Sequence, residues 1–239
     1  MKHIPNLLTL INASSGIVAV YFITVQSQNG VAACILLAAL CDLFDGMLAR
    51  KLGVHGPLGT QLDSLADVIS FGAVPAFLWS SILTDYGSID QPWGIVFASL
   101  IAASSVYRLA KFNLSTDQSV DFIGMPTPAN ALFALGLWIW LGAWEQWEWV
   151  VSMNEDQHYT FTLALLAILL SSAYALNSSL PILSFKGNGD KIRRNAQVFV
   201  VITFVVLAIF VQALALTLTV AVLPLISQAV QVLSKRKNL

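Results

Sequence analysis

Charge is scarce in this chain. Lys, Arg, Asp and Glu make up 10% of the 239 residues, where a soluble domain carries about 25%, and the shortage excludes an ordinary soluble globular protein. Cysteine is nearly missing too: Cys34 and Cys41 lie in one apolar window, at a spacing that supports neither a disulfide framework nor a zinc site. Internal repeats and low-complexity segments do not occur. Short segments alternating apolar and polar, which a membrane barrel requires, are also lacking, because the apolar runs are apolar throughout. The start has no basic stretch beyond Lys2 and no small-residue cleavage site, so the first window is read as a retained helix and not as a removed signal peptide.

What is present is apolar length. Hydrophobic residues make up 57% of the chain, and windows of the roughly 20 residues that span a bilayer recur at about 6–26, 30–51, 60–83, 93–112, 127–143, 159–177, 195–213 and 216–233. The expected fold is all-α, a polytopic integral membrane bundle of about eight transmembrane helices forming a single domain over 1–239. The last two windows are so close that one long bent segment is an alternative to a hairpin.

With eight helices and both termini cytoplasmic, every Lys and Arg falls at an inside end or loop. These are Lys2, Arg50, Lys51, Arg108, Lys111, Lys186, Lys191, Arg193, Arg194, Lys235, Arg236 and Lys237. The outside loops hold Asp85, Asp90, Glu145, Glu148, Glu155 and Asp156 and no basic residue, as the positive-inside rule requires. Trp144, Trp147 and Trp149 read as interface anchors. A net charge of −1 therefore hides a basic inner face, suited to anionic headgroups, and an acidic outer one.

Against this background the stretch from Asp42 to Asp67 is anomalous. Asp42 and Asp45 are three apart, Asp63 and Asp67 four apart, so on helices each pair shares a face. Gly53, Gly56, Pro57 and Gly59 in a loop of roughly 51–59 turn one face onto the other. An aspartate at mid-membrane costs about 2.5–3.5 kcal/mol on insertion scales, and four within reach repel one another unless cations intervene. Arg50 is the only basic residue in helical register with the first pair. Hard oxygen ligands select Mg²⁺, Mn²⁺ or Ca²⁺, and two such ions would balance four carboxylates. Two metals on carboxylates suggest phosphoryl-type transfer. Gly46, Ala49 and Gly59 would let a diphosphate approach the backbone, and Arg50 supplies a forked donor for its oxygens. The plain alternative is that these acids cap and bridge helix ends.

The pattern Asp42-x2-Asp45-Gly46-x2-Ala49-Arg50-x8-Gly59-x3-Asp63-x3-Asp67 resembles the signature of the CDP-alcohol phosphatidyltransferases at all eight positions. The resemblance implies a helical membrane enzyme that transfers a phosphatidyl group from a CDP-linked donor to an alcohol and releases CMP. It implies Asp42, Asp45 and Asp63 as ligands of two Mg²⁺ or Mn²⁺ ions. Asp67 would be the general base, with a share in the second metal, and Gly46, Ala49, Arg50 and Gly59 would line the CDP site. A homodimer, a cytoplasmic-facing site and an inner-membrane location are further implications, and no nucleic-acid partner is expected.

IPNLLTLIN, DSLADVISFGAVPA, YRLAKFN and DFIGMPTPAN look most like the phosphatidylserine-synthase branch over roughly the first 135 residues, implying CDP-diacylglycerol and L-serine as substrates. The helices over 159–233 are less typical. Asn6 and Thr9 would reach the donor. The acceptor region is expected over 104–130, with Arg108, Lys111, Asn113 and Ser64 as its residues. Positive-inside anchoring and helix ending account equally well for Lys111 and Asn113, and His55 reads as a solvated loop residue. Glycerol 3-phosphate or an inositol compound remain alternative acceptors. A cation transporter explains the carboxylates but not Gly46, Ala49, Arg50 and Gly59, and an intramembrane prenyltransferase leaves Gly46, Ala49 and Arg50 unexplained.

Overall fold

The computed structural model describes residues 3–54, 56–114, 122–144, 153–179, 181–182, 197, 200 and 214–237. Helix α1 (Ile4–Thr24) carries Pro5 in its first turn, where the N–H that proline lacks would have no intrahelical partner. A left-handed Gln26 at φ 54° and the Ser27 hydroxyl, which accepts from the Gly30 N–H, turn the chain into α2 (Gln28–Leu52). The hairpin is tight enough that a Cβ at Gly30 would stand 2.5 Å from the Phe22 ring.

The far end of α2 closes on Gly53 at φ 65°. The Gly53 N–H donates to the Arg50 carbonyl and the Val54 N–H to that of Ala49, the paired bonds of a Schellman motif. Pro57 then opens α3 (Pro57–Tyr86). Gly59 consequently lies in the first turn of α3 and not in the connecting loop, because proline is pre-organised for the first helical position.

Helix α3 is not uniform. It is α-helical over Pro57–Asp67, π-helical over Val68–Ala73, α-helical over Val74–Ser81 and π-helical again over Ile82–Tyr86. It is also the axis of the bundle, since 67% of its spanning window is buried, against 17–33% in the other four long apolar helices. Leu78, Trp79, Ile82 and Leu83 form its core face with Trp138, Leu141 and Ile101, while Phe71 packs separately with Ala38 and Ala131.

The remaining helices are α4 (Gln91–Leu114), α5 (Thr127–Trp144), α6 (Glu155–Asn177) and α7 (Leu214–Lys237). Helix α6 starts in a capping box, with Asn154 and Gln157 each bonding the other's backbone N–H. Helix α1 packs on α2 and on the first half of α3, α4 on α3 and α6, and α5 on α3 and α7. The Thr217 hydroxyl bonds the Phe133 carbonyl between α7 and α5 at 3.0 Å.

The expected all-helical membrane bundle is the fold observed. Among the described residues the only strand content is a two-residue antiparallel pairing of Phe122–Ile123 with Pro181–Ile182. Among the described residues five helices, α1 to α4 and α6, are long and apolar enough to cross a membrane, and α5 and α7 contain shorter apolar stretches. Leu10, Ile17, Leu36, Leu40, Leu43 and Phe44 are exposed on α1 and α2, as befits membrane helices whose outer face is apolar. Cys34 and Cys41 are buried and unbridged. The window at 195–213 falls outside the described residues apart from Gln197 and Val200, as do His55, Trp147, Trp149 and the basic stretch from Lys186 to Arg194.

Candidate metal and diphosphate site

The site forms where the carboxyl-terminal half of α2 meets the first half of α3. One carboxylate oxygen each from Asp42, Asp63 and Asp67 lies within 4.8 Å of the other two. Two oxygens sharing one ion at about 2.1–2.5 Å stand no more than about 4–5 Å apart, so the group has the dimensions of a divalent-cation site with hard, all-oxygen ligands. Asp67 is 8% exposed. Asp42 and Asp63 are half-buried; carboxylates so close together, one of them buried, are costly unless a cation or donors offset their charge, and the residues present fit a divalent metal.

Asp45, expected with the others as a ligand, is placed differently. It is 5% exposed and its Oδ2 accepts the Thr9 hydroxyl at 2.6 Å, outside the group of three. The third carboxylate of that group comes from Asp67.

Around the acids, the small residues keep open space. A Cβ added at Gly46 would meet only the Arg50 Nη1, at 3.7 Å, and one at Gly59 only the Asn6 Oδ1, at 3.7 Å. Ala49 is half-buried and Arg50 exposed on the last turns of α2. Asn6 and Thr9 on α1 thus lie near the ends of α2 and α3 that carry Gly46, Ala49, Arg50, Gly59 and the aspartates.

The expected acceptor residues divide. Ser64 and Asn113 join α3 to α4: the Asn113 amide donates to the Ser64 hydroxyl at 2.8 Å, and the Ser64 hydroxyl has the Asn113 Oδ1 at 3.2 Å. Arg108 turns elsewhere, its Nε donating to the Met125 carbonyl at 2.6 Å and its Nη2 reaching the Gly124 carbonyl at 3.5 Å. It thereby ties α4 to the segment that enters α5. Lys111 is exposed.

One buried polar residue beside the acids was not anticipated. Asn12, 0% exposed, donates its amide to Asp67 Oδ1 at 3.2 Å. Its signal was in the sequence, because Asn6, Thr9 and Asn12 recur every three residues and so share one face of an otherwise apolar helix.

Two kinds of comparison bear on this arrangement. The family model for CDP-alcohol phosphatidyltransferase matches residues 2–170. The chain is 39% identical over 132 residues to the archaetidylserine synthase of Methanothermobacter thermautotrophicus, covering 54% of each chain. It is 33% identical over 145 residues to the CDP-diacylglycerol–serine O-phosphatidyltransferase of Mycobacterium tuberculosis, covering 57% of this chain and 49% of that one. It is 29% identical over 215 residues to the Helicobacter pylori protein of the same name, covering 88% of this chain and 82% of the relative. The chain thus spans about half the length of the first two of these relatives.

Proposed function

Because the chain belongs to the CDP-alcohol phosphatidyltransferase family, we propose that it transfers the phosphatidyl group of CDP-diacylglycerol to L-serine, giving phosphatidylserine and CMP. The observation that carries this reading is the meeting of Asp42, Asp63 and Asp67 beside the open backbone of Gly46 and Gly59. Serine as acceptor is supported by the names of relatives that are similar over half or more of this chain.

In this proposal Asp67 accepts the proton of the serine hydroxyl. The freed oxygen attacks the phosphorus that bears diacylglycerol, the bond from that phosphorus to the CMP oxygen breaks, and CMP leaves with the electron pair. Asp42, Asp63 and Asp67 would hold divalent metal, Mg²⁺ or Mn²⁺, with Asp45 as a ligand of a second ion, and the metal would neutralise carboxylates and diphosphate together. Arg50 binds diphosphate oxygens through its forked donors, and Gly46, Ala49 and Gly59 leave room for them, with Asn6 and Thr9 at the rim. Ser64, Lys111 and Asn113 border the acceptor side. No Ser, Cys or His is placed as a covalent nucleophile among these residues, so the displacement is direct. The proposal takes residues 1–239 as one membrane domain, with its site facing the cytoplasm at the inner membrane and the chain associating as a homodimer.

The decisive experiment offers the purified protein radiolabelled serine, glycerol 3-phosphate and inositol in turn with CDP-diacylglycerol and Mg²⁺ or Mn²⁺. Labelled phosphatidylserine is the expected product. Turnover of another alcohol without serine would overturn the choice of acceptor but not of reaction. A donor with a chiral phosphorus should react with inversion, and retention would overturn the direct displacement.

A further inference from the structure

We propose that Asn12 is a positioning residue, whose side-chain amide fixes one oxygen of Asp67 so that the carboxylate keeps a single orientation toward Asp42 and Asp63. The inference rests on the reading of Asp67 as the base of the transfer reaction. Three contacts carry it. The Asn12 Nδ2 donates to Asp67 Oδ1 at 3.2 Å. The Asn12 backbone carbonyl accepts the Ser70 hydroxyl at 2.8 Å, in the π-helical turn that follows Asp67. One turn further along α1, Gly16 comes so close to that turn that a Cβ would stand 2.6 Å from Ser70 Oγ. Side chain and backbone of one residue therefore grip α3 on both sides of the junction between its α and π geometry.

The direction of the amide follows from chemistry. Turned over, its oxygen would face a carboxylate oxygen, two acceptors with no proton between them. As placed, Asn12 Oδ1 is buried without a hydrogen-bond partner among the described residues. A buried amide with one end unsatisfied is a poor choice for stability alone, since an apolar side chain of similar shape would carry no such penalty. What the amide supplies is direction. With Oδ1 of Asp67 held by Asn12, rotation of the carboxylate is opposed and Oδ2 is left for an incoming hydroxyl. Asn12, Asp67 and Ser70 are 0%, 8% and 1% exposed, so water does not replace the bond.

The test uses the full chain in lipid nanodiscs with CDP-diacylglycerol, serine and Mn²⁺. Asn12→Ala should lower kcat by about 10–100-fold, the size expected when a reacting group is misplaced by about 1 Å, while CDP-diacylglycerol binding and the serine KM stay within about threefold. Ser14→Ala, on the exposed side of the same helix with its hydroxyl on the Leu10 carbonyl, should leave kcat unchanged. An unaltered kcat in Asn12→Ala overturns the proposal. Should that variant lose donor binding as well, Ser70→Ala decides: a kcat several-fold lower at unchanged donor binding supports positioning through Asn12, and an unchanged kcat overturns it. Absence of any turnover by the unsubstituted protein would instead overturn the reading of the reaction, and donor binding in all variants separates the two failures.

Discussion

The Thr9 hydroxyl lies 2.6 Å from Asp45 Oδ2, across the α1–α2 interface and 36 positions away in sequence. The same oxygen is 3.0 Å from the Pro5 carbonyl. A hydroxyl has a single proton to donate, and the carboxylate takes it, because charge-assisted bonds are the shorter and stronger ones. Replacing Thr9 by Val keeps the shape and removes the proton. A buried group that loses its partner costs about 1–3 kcal/mol, so Thr9→Val should lower thermal stability in a fixed detergent by that amount. Thr9→Ser should recover most of it.

Two glycines near the site should respond oppositely. A Cβ at Gly16 would meet the Ser70 Cα at 2.9 Å as well as its hydroxyl, and backbone cannot step aside. Overpacking of this kind costs about 1–3 kcal/mol, so Gly16→Ala should unfold at lower temperature. Gly46→Ala meets nothing nearer than Arg50 Nη1 at 3.7 Å and should unfold as the native chain does. If Gly46 is open for a diphosphate, its variant should bind CDP-diacylglycerol more weakly, which titration of each variant with the donor would read.

Asp67→Asn removes a base while keeping shape. General-base catalysis contributes about 10²–10⁴-fold, so kcat should fall by that factor with CDP-diacylglycerol binding retained. The same binding measurement addresses the transporter alternative, under which the native chain itself would not bind the CDP-lipid.

Arg108 should prove a structural clamp before anything else. Hydrogen bonds to charged groups contribute about 1.5–3 kcal/mol, and Arg108→Gln leaves the Met125 and Gly124 carbonyls without their charged donor. Thermal stability should drop accordingly. Unchanged stability together with a raised serine KM would return Arg108 to the acceptor site.

The aspartates were legible because helical spacing alone places each pair on one face, and a glycine-rich turn brings the faces together. Asn6 and Thr9 stood out as polar residues on an apolar helix. Asn12 repeats their spacing, but in sequence a polar residue that bonds a carboxylate looks like one that merely packs. The partners of Arg108 were illegible for a related reason: its register with Lys111 points along one helix, whereas the carbonyls it bonds lie 16 and 17 residues on. The separate placement of Asp45 was equally hidden, because spacing shows which face a side chain occupies but not which neighbour captures it. The two π-helical turns leave no compositional mark, and the apolar pattern of α3 reads as one uninterrupted span.

Those π-helical turns set the phase of the protein. A helix that accommodates one extra residue in a turn rotates everything beyond it by about 100°. The turn at Val68–Ala73 stands between the acids that face α1 and α2 and the Trp79 face that fills the core. Remove one residue from it and α3 becomes a regular screw whose two ends can no longer both find their partners. Asp67 would swing away from Asn12, or Trp79 would leave its seat against Phe133. Chemistry and packing on α3 are thus kept in step by a single residue of slack.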